Sequence, residues 1–138
     1  MEFDRDLQSI QQARDLMKKA KKAQKMFQDY TQDQIDSIVC DIAKACGDNA
    51  ESLAKKACSE TGFGRWQDKV LKNLLGSTMT YEYIKDMKTV GVIREDKGNM
   101  ITDIGVPVGV VVGLIPSTNP TSTTMYKSLI SLKAGNAI

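Results

Sequence analysis

The residues best suited to chemistry lie in one short run, "IPSTNPTS", from Ile115 to Ser122. Pro116 and Pro120 fix the path of a bend. Between them Ser117, Thr118 and Asn119 carry hydroxyl and carboxamide groups that donate or accept hydrogen bonds. Thr121 and Ser122 follow, where a helix is expected to start. In open α/β sheets, ligands bind where the carboxyl end of a strand runs into a helix N-terminus. Free amides and the helix dipole favour an anion or a developing negative charge there. The same residue types also cap helices and do nothing more, so the spacing leaves both readings open. A dinucleotide fingerprint, G-x-G-x-x-G directly after the strand, is lacking, because Gly109 and Gly113 are too far apart.

Other chemistry is restricted by composition. The chain has no histidine, so it cannot by itself form a Ser–His or Cys–His nucleophile pair or an imidazole metal site. Its three cysteines, Cys40, Cys46 and Cys58, match no zinc spacing and make no even disulfide set. Cys46 falls in line with Ile35, Ile38, Val39 and Ile42 and is read as core. Cys40 and Cys58 flank their helical stripes with no base nearby. A net charge of +2 over 138 residues makes no case for nucleic acid or an anionic membrane as partner. No apolar run approaches the ~20 residues that span a bilayer. Acidic residues in "MEFDRDLQSIQQ" stand where a signal peptide would have a basic end. The default expectation is a cytoplasmic chain of about one domain's length.

Periodicity supplies the elements that must position the bend. Residues 4–28 carry Leu7, Ile10, Ala13, Leu16, Met17, Ala20, Ala23 and Phe27 on one side of a long helix. Lys18, Lys19, Lys21, Lys22 and Lys25 form its solvated face. A second helix opens with a capping box, Thr31 and Gln34, and is expected to stop at Gly47 in a left-handed cap. A third repeats the device with Asp48 and Glu51 and ends at "TGFG". A fourth is predicted over 65–87, its apolar face Val70, Leu71, Leu74, Leu75, Met79, Tyr83 and Ile84, with Gly76 weakening its continuity. Two strand-like runs then flank "EDKGN", a hairpin with Gly98 available for a positive backbone angle. Residues 108–115, "VGVVVGLI", read as a strand buried on both faces of a parallel sheet. A helix over 121–134 ends at Gly135, and "NAI" restarts a strand. One strand–turn–helix–strand unit cannot bury both faces of a sheet, so the end at Ile138 is expected to be a truncation.

The run "PVGVVVGLIPSTNPTSTTMYKSLISLKAGNAI", residues 107–138, resembles the start of the coenzyme-binding domain of aldehyde dehydrogenases. "PSTNPTS" followed by "KSLISLKAGNAI" is similar to the CoA-acylating branch, which includes acetaldehyde dehydrogenases and the aldehyde dehydrogenase half of bifunctional aldehyde–alcohol dehydrogenases. The hydrolytic branch usually has an aromatic–Asn–aromatic triplet between the prolines. "SETGFGRWQDKVLKN", residues 59–73, matches the acylating branch as well. The resemblance covers essentially the whole chain but about the first third of the family's usual length. It implies an α/β fold with a helical N-terminal lobe over 1–88, a β-hairpin oligomerisation arm over 89–106, and the first βαβ unit of a Rossmann-like NAD-binding domain over 107–138.

The implied reaction is reversible oxidation of a short aldehyde to acyl-CoA, with NAD (NADP left open) and CoA, in a homo-oligomer joined through the arm. A cysteine thiolate forms a thiohemiacetal, hydride leaves, and the thioester passes to CoA. The family's nucleophile lies beyond residue 138, and none of the three cysteines here matches its motif. A reading frame continuing past Ile138 to such a cysteine would settle the enzyme reading. The bend borders the nicotinamide and the reacting carbonyl in the family, which makes Ile115, Pro116, Ser117, Thr118 and Asn119 the coenzyme-side candidates. Gap-free alignment with hydrolytic relatives puts Thr118 at their oxyanion asparagine, whereas Asn119 has the better chemistry, its amide donating more rigidly. Both stay candidates. Related enzymes of bacterial microcompartments carry an amphipathic extension before the first lobe helix, and no such tag is expected here, though a microcompartment setting stays open. The alternative from another class is a non-catalytic helical module docking on a partner through its amphipathic first helix.

Overall fold

The computed structural model describes residues 4–138; Met1–Phe3, the start of the acidic leader run, lie outside them. Helix α1 spans Arg5–Phe27, α2 Gln32–Asp48, α3 Ala50–Thr61 and α4 Trp66–Leu74. A π-helical turn, Leu75–Met79, joins α4 to α5, Thr80–Ile84. Strands β1, Gly91–Asp96, and β2, Ile101–Gly105, form an antiparallel hairpin. Helix α6 spans Pro120–Lys133.

Helix α2 starts as its sequence predicts. Gln34 N–H donates to the Thr31 hydroxyl at 3.3 Å, and Thr31 N–H donates to Gln34 Oε1 at 2.9 Å, which satisfies two amides that the first turn would leave open. Its apolar stripe makes the core: Ile35, Val39 and Ala43 pack with Ile84 and Leu129, flanked by Phe27, Ile42, Tyr81, Val90 and Leu132. Helix α6 ends as expected at Gly135, whose φ of 73° is costly for a residue with a Cβ.

Polar groups tie α6 and the arm to this core. Lys133 is buried, donating to Asp36 Oδ1 at 2.6 Å and to the Lys85 carbonyl at 2.8 Å. Gln32 accepts from the Thr89 and Val90 amides at 2.8 and 3.1 Å, holding the entry to the hairpin. Buried Gln24 of α1 donates to the Gly135 carbonyl at 2.8 Å and accepts from Ala137 N–H. The parallel pairing has begun beside it: Val111 N–H donates to Ala137 O at 2.8 Å, and Ala137 N–H to Gly109 O at 3.1 Å.

Several local expectations are corrected. Gly47 does not cap α2: it lies within the helix, and a Cβ there would stand 2.6 Å from Thr78 Cγ2. The glycine serves a close helix approach. Asp48 is the last residue of α2 and forms no second capping box; Asn49 precedes α3 without a side-chain cap. In the turn of the hairpin the residue with positive φ is Met100, at 55°, not Gly98. Asp96 organises that turn instead, accepting from Gly98 N–H, Asn99 N–H and Asn99 Nδ2 at 2.9–3.0 Å, and these donors hold its carboxyl below the usual range.

The largest correction concerns the fourth helix. Four of its seven predicted apolar residues point outward, with Leu71 68% and Tyr83 78% exposed and Leu75 and Met79 exposed between them. Val70 and Leu74 are half-buried, and Ile84 alone joins the core. The buried face is Lys69, Asn73, Gly76 and Ser77. The chain does run on through Gly76, by means of the π turn. Ser77, Thr78 and Thr80 hydroxyls donate to the Asn73, Leu74 and Leu75 carbonyls at 2.6, 3.2 and 2.6 Å, satisfying oxygens that the widened turn leaves to side chains. A Cβ at Gly76 would stand 2.7 Å from the Ser122 carbonyl, so α6 rests on bare backbone there. Residues 108–115 and 136–138, expected as strands, form only an isolated parallel bridge between Val110 and Ala137. The run 108–115 is not covered, Val112 being 69% and Leu114 80% exposed, because the described residues hold no neighbouring strands of a sheet to pair and pack with it.

Gly76→Ala is expected to lower stability by about 1–3 kcal/mol, because the obstacle is main chain that cannot rotate away. The urea midpoint reads this, and an unchanged midpoint would show that α6 does not rest on the π turn.

Candidate functional site

Helix α6 begins directly after the proline-bracketed bend, with Pro120 at its first position and Asn119 before it. Pro at that point costs nothing, since its missing N–H is one the helix could not use. Ile115, Pro116, Ser117 and Thr118 are exposed and Asn119 is half-buried. The five candidates thus form one contiguous polar corner, with Ile115 at its apolar end.

The corner is not capping its own helix. No side chain caps the first turn of α6. Asn119 Oδ1 instead accepts from Lys72 Nζ at 2.9 Å. Lys69 Nζ donates to the Thr118 carbonyl at 2.6 Å, and Lys69 is only 5% exposed. Asn73, fully buried, donates through Nδ2 to the Ala50 carbonyl at 2.8 Å and accepts from the Thr121 hydroxyl at 2.7 Å. Three residues of α4, at 69, 72 and 73, therefore hold the bend and the first turn of α6. They escaped the sequence reading. The available signal was polar or small residues at 69, 73, 76 and 77, a helical stripe of its own that the louder apolar stripe concealed.

The Ser117 and Thr118 hydroxyls have no hydrogen-bond partner among the described residues. Lys127 Nζ donates to the Leu114 carbonyl at 2.7 Å and fixes the approach to the bend from the side of residues 108–115. A groove of about 630 Å³ runs between α1, the extended segment and α6, lined by Leu16, Met17, Ala20, Val110, Val112 and Ile115 among others. One side of α1 that was expected to pack is thus open, with Leu7, Ile10, Leu16 and Met17 exposed.

The cysteines stand apart from the corner. Cys46 is half-buried and burial pushes its thiol up, which disfavours the nucleophilic thiolate and fits a packing role. Cys40 is exposed; its hydrogen bond with Tyr81 is the main reason that phenol is pushed up to about 12. Cys58 points its thiol at the Phe63 and Gly64 carbonyls, each at 3.5 Å. No cluster of potential metal ligands and no helix long and apolar enough to cross a membrane occurs among the described residues.

Packed helices, an exposed hairpin and a parallel bridge from Val110 to Ala137 on either side of α6 fit the opening of an α/β fold. Comparison with known proteins makes the class specific. The aldehyde dehydrogenase family model matches residues 6–138, and the chain belongs to that family. It is 46% identical over 123 residues to the bifunctional aldehyde-alcohol dehydrogenase of Escherichia coli K12, an alignment covering 89% of this chain and 14% of that protein. It superposes on an acetylating aldehyde dehydrogenase from Geobacillus thermoglucosidasius with a TM-score of 0.95 and 52% identity, covering 98% of this chain and 30% of the other. A probable aldehyde dehydrogenase from Listeria monocytogenes matches with a TM-score of 0.94 and 57% identity, over 97% and 30% of the two chains. The chain therefore spans about a seventh to a third of the length of these relatives. They support the aldehyde dehydrogenase reading rather than the helical docking module.

Asn73→Leu is expected to cost about 2–4 kcal/mol, because it strands the Ala50 carbonyl and the Thr121 hydroxyl together, whereas Thr121→Val should cost about 1 kcal/mol. Equal losses in urea denaturation would contradict the central place given to Asn73.

Proposed function

We propose that this chain is the N-terminal portion of an NAD-dependent, CoA-acylating aldehyde dehydrogenase, which oxidises a short aldehyde reversibly to its acyl-CoA. Residues 1–88 would be the helical lobe, 89–106 the arm and 107–138 the opening of the coenzyme domain. The names of two relatives, one bifunctional and one acetylating, support the acylating branch. The reaction's nucleophile, a cysteine, would come from the remainder of the longer protein.

The observation that carries the reading is the uncapped corner. Asn119 is placed to cap α6 and does not, its carboxamide oxygen being engaged by Lys72. A side chain spent only on capping would face the helix's own amides. The corner also fits a coenzyme: Ile115 offers an exposed apolar surface, Ser117 and Thr118 exposed hydroxyls, and α6 an open N-terminus. When bound, NAD (or NADP) supplies the hydride acceptor. Ile115, Pro116, Ser117 and Thr118 would position it. Asn119 would donate to the oxygen of the reacting carbonyl as charge develops there, and we favour it over Thr118 because the threonine hydroxyl has no partner to fix its direction.

We further propose that the hairpin joins copies of the protein. Val92, Ile93, Ile101 and Ile104 are exposed on a ribbon of only two strands, which is marginal alone. A cytoplasmic setting suits these substrates.

In the full-length protein, Asn119→Ala should lower kcat about 10²-fold or more, the usual cost of one oxyanion donor, and Thr118→Ala should cost far less. Steady-state acyl-CoA formation together with NAD titration checks this. Turnover and coenzyme affinity unchanged in both variants would return the corner to a structural role.

A further inference from the structure

The two lysines of α4 treat the corner in the same way. Lys72 meets the oxygen of the Asn119 carboxamide at 2.9 Å, and Lys69 meets the oxygen of the Thr118–Asn119 peptide at 2.6 Å. An ammonium can only donate, so each contact settles which end of its amide faces α4. The carboxamide NH₂ must then lie on the side away from Lys72. The peptide is trans, so its N–H points opposite to the carbonyl that Lys69 holds. The carboxamide NH₂ of Asn119 has no hydrogen-bond partner among the described residues, whereas its backbone N–H faces the Pro116 carbonyl across the turn over Ser117 and Thr118.

Lys69 is unusual in being buried with a neutral acceptor and no carboxylate partner among the described residues. Burying an ammonium is costly, and a helix staple needs no charge. A charged donor on a carbonyl does something that a methyl group cannot: it polarises the amide and strengthens the N–H at the other end.

We propose that Lys69 and Lys72 are positioning residues: Lys72 holds the carboxamide oxygen so that the Asn119 NH₂ is fixed and polarised as the donor to the substrate oxygen, and Lys69 holds the Thr118 carbonyl and with it the bend that carries Asn119. This rests on the reading of the corner given under Proposed function. It requires no contact between either lysine and substrate. It also accounts for "KVLK" in α4, where lysines three residues apart share a helix face.

The test uses the full-length protein. Lys72→Met keeps the length of the side chain and removes the ammonium, and Lys72→Arg restores a donor. For Lys72→Met, kcat should fall about tenfold while KM for aldehyde and for NAD stays within twofold, the pattern of lost transition-state stabilisation. Lys72→Arg should recover most of it, and Lys72→Met with Asn119→Ala should be no slower than Asn119→Ala alone. A readout free of turnover is the Asn119 side-chain NH₂ resonance in ¹⁵N-asparagine-labelled protein, which should shift in Lys72→Met and return in Lys72→Arg. If Asn119→Ala is slow but Lys72→Met is not, or if the resonance stays put, the lysine assignment falls and the oxyanion reading stands. If Asn119→Ala is itself as fast as wild type, the corner reading falls and takes this inference with it. Lys69→Met, which risks misfolding, is scored only for protein that retains the wild-type circular dichroism spectrum, and wild-type kcat in it would remove Lys69 from the assignment.

Discussion

The close seating of α6 on the polar side of α4 and the π turn is the contact on which the corner depends. It is possible because Gly76 presents backbone to the Ser122 carbonyl and because Asn73 bridges Ala50 and Thr121 through its two ends. Once α6 is placed, the direction of the bend follows, since Pro116 and Pro120 leave it little freedom. Lys69 and Lys72 then act within reach of two oxygens whose positions the packing has set. Each layer depends on the one beneath it: a missing side chain, then a buried amide, then two ammonium groups.

This explains why the helices were legible in the sequence and the face of α4 was not. The capping box at Thr31, the stripe through Ile35 and Val39, and the terminator Gly135 are local devices whose cause lies within a few residues. The face of α4 is decided by what lies across from it. Leu71, Leu75, Met79 and Tyr83 make the stronger amphipathic signal, yet Lys69, Asn73, Gly76 and Ser77 are buried because they alone let α6 approach and bond. Gly47 misled in the same way: in sequence it resembles a stop, and only the packing of Thr78 against it reveals a contact glycine. Of the corner itself, the residue types were legible and their partners on α4, 47 and 49 positions away, were not.

The exposed apolar surfaces form a pattern. They lie on α1, on the outward side of α4, on both faces of the hairpin and along residues 108–115. The solved relatives are about three times longer and superpose on this chain almost throughout, so this fold is stable in the family as part of a larger body. The part we propose for the chain there is to present hydrogen-bond donors where residues 108–115 turn into α6, held by its own helices. Preorganised donors of this kind need no rearrangement as charge develops.

The most direct measurement is a crystal structure of the full-length protein with NAD and the acyl group trapped on its nucleophilic cysteine. The thioester oxygen is expected about 2.7–3.1 Å from the carboxamide nitrogen of Asn119, with the carboxamide oxygen still on Lys72. A corner turned away from the acyl group, with Asn119 beyond hydrogen-bond reach of that oxygen, would contradict it.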